Sequence, residues 1–159
     1  MTGLVEKIYR KLWSLRFLKQ SGMKPDKLLV VYKSIIRPTA DYCSVVYNSL
    51  IPSYIADKLE GAQRHALRII FGKNIDINNL MATHEIQTLA ERRKEKCLAF
   101  AKRAVSSERF GGRWFAENST DRVVRDTTRK KYVEKFSRHE RFRGNPLSYM
   151  TRLLNENET

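Results

Sequence analysis

The chain has 159 residues, with 31 Lys or Arg against 17 Asp or Glu, a formal net charge of +14. That length suits one domain, or one domain with a tail, and supports a hydrophobic core. Seven Gly and four Pro exclude a collagenous or low-complexity chain, and no apolar run approaches the roughly 18 residues of a membrane span. No stretch has the order of a signal peptide, so the expected location is intracellular, in the nucleus or cytoplasm. Cys43 and Cys97 lie in apolar-periodic segments with no Cys or His at metal-ligand spacing, which predicts two reduced core thiols.

Residues 3–19 read as an amphipathic helix. Leu4, Ile8, Leu12 and Leu15 recur at three- and four-residue steps, Val5, Tyr9 and Trp13 widen the apolar stripe, and Lys7, Lys11 and Lys19 fall opposite. Gly22 breaks the pattern, and Pro25 suits the first turn of a second helix carrying Leu28, Leu29, Val31, Tyr32, Ile35 and Ile36. Pro38 should end or kink it, with residues 41–47 continuing as helix. Ser53 reads as the N-cap of a helix running to Phe71, with Ile55, Leu59, Ala62, Ala66, Leu67 and Ile70 on one face and Gly72 as its stop. Residues 73–79 read as a polar loop, and Leu80-Met81 begins a short helical turn. Thr88-Leu89-Ala90-Glu91 has the form of a capping box that opens a helix to about Ser107. The apolar residues beyond Gly111-Gly112 (Trp114, Phe115, Tyr132, Phe136, Phe142, Tyr149) look isolated. The expectation is therefore an all-α bundle of four to five helices over 3–107, with a basic extension over 108–159 that is partly disordered and has a short helix near 147–154. The expected core is Leu12, Leu15, Leu28, Tyr32, Ile36, Val46, Leu59, Leu67, Ile70, Leu89, Cys97 and Phe100.

Metal-dependent phosphoryl transfer needs closely placed carboxylates. Here Asp26, Asp41, Asp57, Asp76, Asp121 and Asp126 are scattered, no aromatic-x-Asp-Asp occurs, and His65, His84 and His139 have no ligand partner at zinc spacing. No catalytic site, metal or cofactor is expected. What remains is cationic. Residues 1–72 hold 12 basic and 5 acidic groups, 73–110 hold 8 and 5, and 111–159 hold 11 and 7, an excess throughout that attracts polyanions. Arg64 and Arg68 lie one helical turn apart beside Gln63, and could straddle duplex phosphates while Gln63 or His65 reaches sugar or base edges, or could simply pair with Glu60 and solvent. Lys7, Arg10, Lys11 and Lys19 are opposed only by Glu6, while the run 91–96, which holds Arg92 and Arg93, alternates in sign like a solvated face. Arg129-Lys130-Lys131 with Tyr132 and Phe136 mixes cations and aromatics as single-strand binders do, and fits a nuclear-localisation patch equally well.

Four ordered motifs carry a resemblance: Leu29-x-x-Tyr32-x-Ser34-x-Ile36-Arg37 before Asp41-Tyr42; Leu59-Glu60-x-x-Gln63-Arg64-x-Ala66-Leu67-Arg68-Ile69-Ile70-x-Gly72; Leu89-x-x-Arg92-Arg93; and Asn145-Pro146-Leu147-x-Tyr149-x-x-Arg152-Leu153-Leu154-Asn155. Together they resemble the C-terminal region of reverse transcriptases from non-LTR, LINE-type (jockey-like) retrotransposons. The resemblance implies a helical thumb with its downstream connector, without the fingers and the palm that holds the catalytic aspartates of an RNA-directed DNA polymerase. It also implies contact with a primer–template duplex, an RNA or RNA–DNA helix, through Gln63, Arg64 and Arg68, with Lys7, Arg10, Lys11, Arg92 and Arg93 flanking. The alternatives are an interaction module that docks on a separate palm and fingers core, and a decayed reading frame of such an element.

Overall fold

The computed structural model describes residues 2–117, 131–134, 138–139 and 144–157. Among them the fold is all-α, as expected: no strand forms, and the one extended pairing is an isolated antiparallel bridge between Glu117 and Tyr132. The helices are α1 (Thr2–Gln20), α2 (Pro25–Val31), α3 (Arg37–Asp41), α4 (Ser44–Tyr47), α5 (Ser53–Phe71), α6 (Ile77–Thr83), α7 (Leu89–Val105), α8 (Gly111–Trp114) and α9 (Pro146–Asn157). A π-helical turn at Tyr32–Ile36 joins α2 to α3, and a 3₁₀ turn at Asn48–Leu50 follows α4.

The chain divides into two compact units, Met1–Ser44 with Ile51–Arg93, and Val45–Leu50 with Lys94–Thr159. This is not the division expected at residue 107. Residues 94–105 of α7 group with the C-terminal segment because their apolar residues Cys97, Ala101 and Ala104 share a core with Phe115, Tyr132, Met150, Leu153 and Leu154. The expectation of a disordered extension falls partly outside the described residues, as do Phe136, Phe142, Arg129, Lys130, Asp121 and Asp126. Within the described ones, Phe115 and Tyr132 are buried rather than isolated, and the helix near 147–154 extends over Pro146–Asn157. Asn155 Oδ1 accepts from Tyr132 N at 3.0 Å and its Nδ2 donates to Tyr132 O at 3.1 Å, which binds that segment to α9. Gly111 sits where a Cβ would lie 2.3 Å from Val105 O, so only glycine permits this close approach after α7.

The first unit is built on α1 against α5, with α2, the π turn and α3 packed beside them. Val5, Ile8, Leu12 and Leu15 of α1 meet Ile55, Leu59, Ala62, Ala66, Leu67 and Ile70 of α5 in one core that also takes Leu28, Tyr32, Ile36 and Leu89. The α1 stripe is narrower than its sequence suggested. Tyr9 and Trp13 are exposed, because at 100° per residue they lie on the flank of the helix rather than toward the core. Val46 is exposed too, and Phe100 is half-buried.

Local signals set the helix ends. Pro25 occupies the first turn of α2, and Gly72, at φ 117°, closes α5 with its N–H on Arg68 O. Ser53 is not the cap expected. Pro52 holds that position and Ser53 is the first helical residue. Asp76 caps α6 by accepting from Asn78 N at 2.9 Å, so the loop after Gly72 is shorter than expected. Pro38 neither ends nor kinks a regular helix. It enters the first turn of α3 directly after the π turn, whose wider hydrogen-bond spacing absorbs the missing proline donor. Cys43 then breaks the chain with φ 55° before α4, which leaves its thiol exposed where a core thiol was expected; Cys97 is buried.

The capping box at Thr88 forms in both directions, with Glu91 N donating to Thr88 Oγ1 at 3.2 Å and Thr88 N to Glu91 Oε2 at 3.0 Å. Glu60 of α5 completes it. Its carboxylate accepts from Ala90 N at 2.8 Å and Leu89 N at 3.3 Å, and lies 3.9 Å from the buried guanidinium of Arg93. Replacing Glu60 with Ala removes two charged caps and the carboxylate beside a buried cation; we expect a loss of about 2 kcal/mol or more, read as a lower urea midpoint at unchanged slope.

Candidate nucleic-acid interface

The eight positions singled out from sequence separate into two groups. Gln63 is 2% exposed and faces inward: its Nε2 donates to Gln87 O at 3.0 Å and its Oε1 accepts from the Tyr32 hydroxyl at 3.2 Å. Burial raises the pKa of that hydroxyl and keeps it a donor. Gln63 is therefore a link between helices, not a nucleic-acid contact. Arg93 is likewise 2% exposed, beside Glu60. Arg92 directs Nη2 (2.8 Å) and Nε (3.3 Å) onto one carboxylate oxygen of buried Asp41. Arg37 lies nearby, its pKa lowered by burial first and by the Arg92 cation second. Arg92 and Arg93 thus serve the interior of the first unit, because α7 turns this edge toward α3 and α5. Lys11 donates to Thr39 Oγ1 at 2.7 Å and Ile35 O at 3.2 Å, which ties α1 to the segment around Pro38.

Lys7, Arg10, Arg64 and Arg68 remain exposed, and none makes an ion pair among the described residues. Arg64 and Arg68 follow one another along the outer face of α5, opposite Leu59, Ala66 and Ile70. The structure adds partners that sequence reasoning did not assign. Between α1 and the C-terminal half of α5 runs a groove of about 1030 Å³, lined by Arg16, Lys19, Gln20, His65, Arg68, Ile69, Gly72 and Lys73, with no carboxylate among them. Arg16 and Lys73 gave no motif. What brings them together is the pairing of α1 with α5, and single-helix periodicity carries no signal for that.

Two contacts shape the groove. Lys19 Nζ donates to Ile69 O at 2.6 Å and Ile70 O at 3.2 Å, placing a cation at the negative end of the α5 dipole. Arg16 Nη2 donates to His65 Nε2 at 2.7 Å; guanidinium has no acceptor, so His65 is neutral here with its proton on Nδ1. Burial first, then the Arg16 and Arg68 charges, lower the His65 pKa. The wall therefore stays chemically uniform near neutral pH: fixed cations from Arg16, Arg68 and Lys73, and a neutral imidazole able to donate from Nδ1. Such a wall can hold phosphate oxygens without discriminating bases. Among the described residues no three His, Cys, Asp or Glu side chains group to hold a metal ion, and no helix is long and apolar enough to cross a membrane.

The lowered His65 pKa has a definite sign in stability. Below about pH 6.5 the unfolded chain binds a proton that the folded chain refuses, so stability falls as pH drops from there toward the folded pKa. Replacing His65 with Asn should remove that part of the slope, and urea titrations of both proteins at pH 7.5 and 5.5 would read it as a smaller difference for the variant. No protein-family model, curated protein or solved structure matches this chain, so the reading of the groove rests on its own chemistry.

Proposed function

We propose that this chain is a helical, thumb-like unit of a non-LTR retroelement reverse transcriptase, without catalytic residues of its own, that binds the backbone of an RNA or RNA–DNA template–primer duplex. Its expected setting is the nucleus or cytoplasm, beside a palm and fingers core. One observation carries this reading: Arg64 and Arg68 project from α5 with no ion pair among the described residues, next to a groove whose cations Arg16 and Lys73 have no carboxylate in its lining. A row of fixed charges on rigid helices suits a regularly spaced polyanion, because neutralising phosphates releases condensed counterions while rigid scaffolding limits the ordering cost. The resemblance to thumb segments supplies the identity of the duplex.

Affinity for a blunt RNA–DNA duplex, measured by fluorescence anisotropy between about 50 and about 200 mM salt, tests the proposal. Replacing Arg64 and Arg68 together with Ala should weaken binding and flatten the plot of log K against log salt by about 2, roughly 0.9 for each phosphate that is no longer neutralised. Both side chains are exposed, so stability should stay within about 0.5 kcal/mol of the parent. An unchanged salt slope would overturn the assignment.

A further inference from the structure

Helix α1 carries a feature that neither its core packing nor its cations explain. Tyr9, Trp13 and Phe17 recur every fourth residue, which sets their side chains in one slowly drifting row. All three are exposed, at 46%, 67% and 55%. The Trp13 and Phe17 rings stack with centroids 5.9 Å apart and planes 15° apart, and the Tyr9 ring lies 6.3 Å from His65 on the groove wall. Three large aromatics in an uninterrupted exposed row are costly to leave in water, and mark a surface that takes a partner. Cations border the row. Arg16 stands between it and the groove, and Arg10 and Lys7 follow on its other side around the helix; Glu6, two turns before Trp13, is the one acidic residue of α1.

We propose that Tyr9, Trp13 and Phe17 form a stacking platform for the unpaired bases of a single-stranded nucleic acid whose phosphates run along Arg16, Arg68 and Lys73. A paired helix has its bases stacked on one another and offers no free π-face, so this row has no use for the duplex itself. A single strand offers both chemistries at once: flat faces for the aromatics, and a phosphate at each step for the cations. An apolar protein partner would satisfy the rings but leave the bordering cations against an uncharged surface. The proposal rests on the duplex reading and extends it: α5 grips the paired part, and α1 holds the unpaired strand that continues from it.

The experiment uses the full chain and two probes, a blunt RNA–DNA duplex and the same duplex with a single-stranded uridine extension carrying one 2-aminopurine. Binding should quench the 2-aminopurine, and the extended probe should bind more tightly than the blunt one. Trp13→Ala and Phe17→Ala should each cut that gain by roughly fivefold to a hundredfold, Trp13→Phe should keep most of it, and blunt-duplex affinity should not move. An extension that adds no affinity, or a gain that survives Trp13→Ala, would overturn the platform while leaving the duplex reading standing. Binding of the extended strand by a protein that ignores the blunt duplex would support the platform and overturn the duplex reading. A self-association abolished by Trp13→Ala, with no quenching, would assign the row to a second copy of the chain and overturn the platform as well.

Discussion

The charged contact that organises the first unit is the one Glu60 makes with the start of α7. A helix N-terminus presents donors with no intrahelical partners, and here two of them are met by a carboxylate from another helix instead of by water. One turn further along α5, Gln63 reaches the Gln87 carbonyl just ahead of the same terminus, and receives the Tyr32 hydroxyl from the other side. This edge of α5 is thus consumed in holding α7 and the π turn. The next residue is rotated by 100° and points outward, so Arg64 and, one turn later, Arg68 are free of structural duty. A single helix keeps architecture and charge display on separate edges, and adjacent residues in the chain can have unrelated roles.

The cations of the first unit sort the same way. Arg37, Arg92 and Arg93 lie around Asp41 and Glu60 in the interior, Lys11 and Lys19 tie helices through carbonyl and hydroxyl oxygens, and Lys7, Arg10, Arg64 and Arg68 face solvent. A formal charge of +14 therefore overstates what a ligand meets. Tyr32, Asp41, Glu60, Gln63, Arg92 and Arg93 together make up this polar interior. Arg64 and Arg68, beside them on α5, face outward.

Several features that depend on neighbouring residues were legible, though the caps at Pro52 and Asp76 were not. Pro25, Gly72 and the Thr88–Glu91 box specify backbone geometry within four residues, and each operates as read. The apolar spacing of α5 gave six of its seven buried positions, because six apolar residues on one helix overdetermine a direction; the seventh, Gln63, is polar and carries no such signal. Features set by the partner helix were not. Arg64 and Gln63 look equivalent in the chain, and only the position of α7 decides which is buried. Tyr9 and Trp13 look like core because aromatics are apolar, yet α1 turns Val5, Ile8, Leu12 and Leu15 to its partners and leaves these rings at the edge of that contact. The second core escaped notice because Phe115 and Tyr132 come from segments without periodicity, and join α9 only through tertiary packing.

The wide turn at Tyr32–Ile36 has a consequence for how this chain can change in length. A π turn holds one residue more than the regular helical turn it replaces, so everything after it is advanced by about 100° relative to an uninterrupted helix. Removing one residue there would give a smoother helix and a worse protein: Asp41 would swing off Arg92, and the proline would land where a donor is needed. Insertions and deletions that loops accept freely are forbidden here, so this stretch is a ruler whose length is as specific as the identity of its side chains.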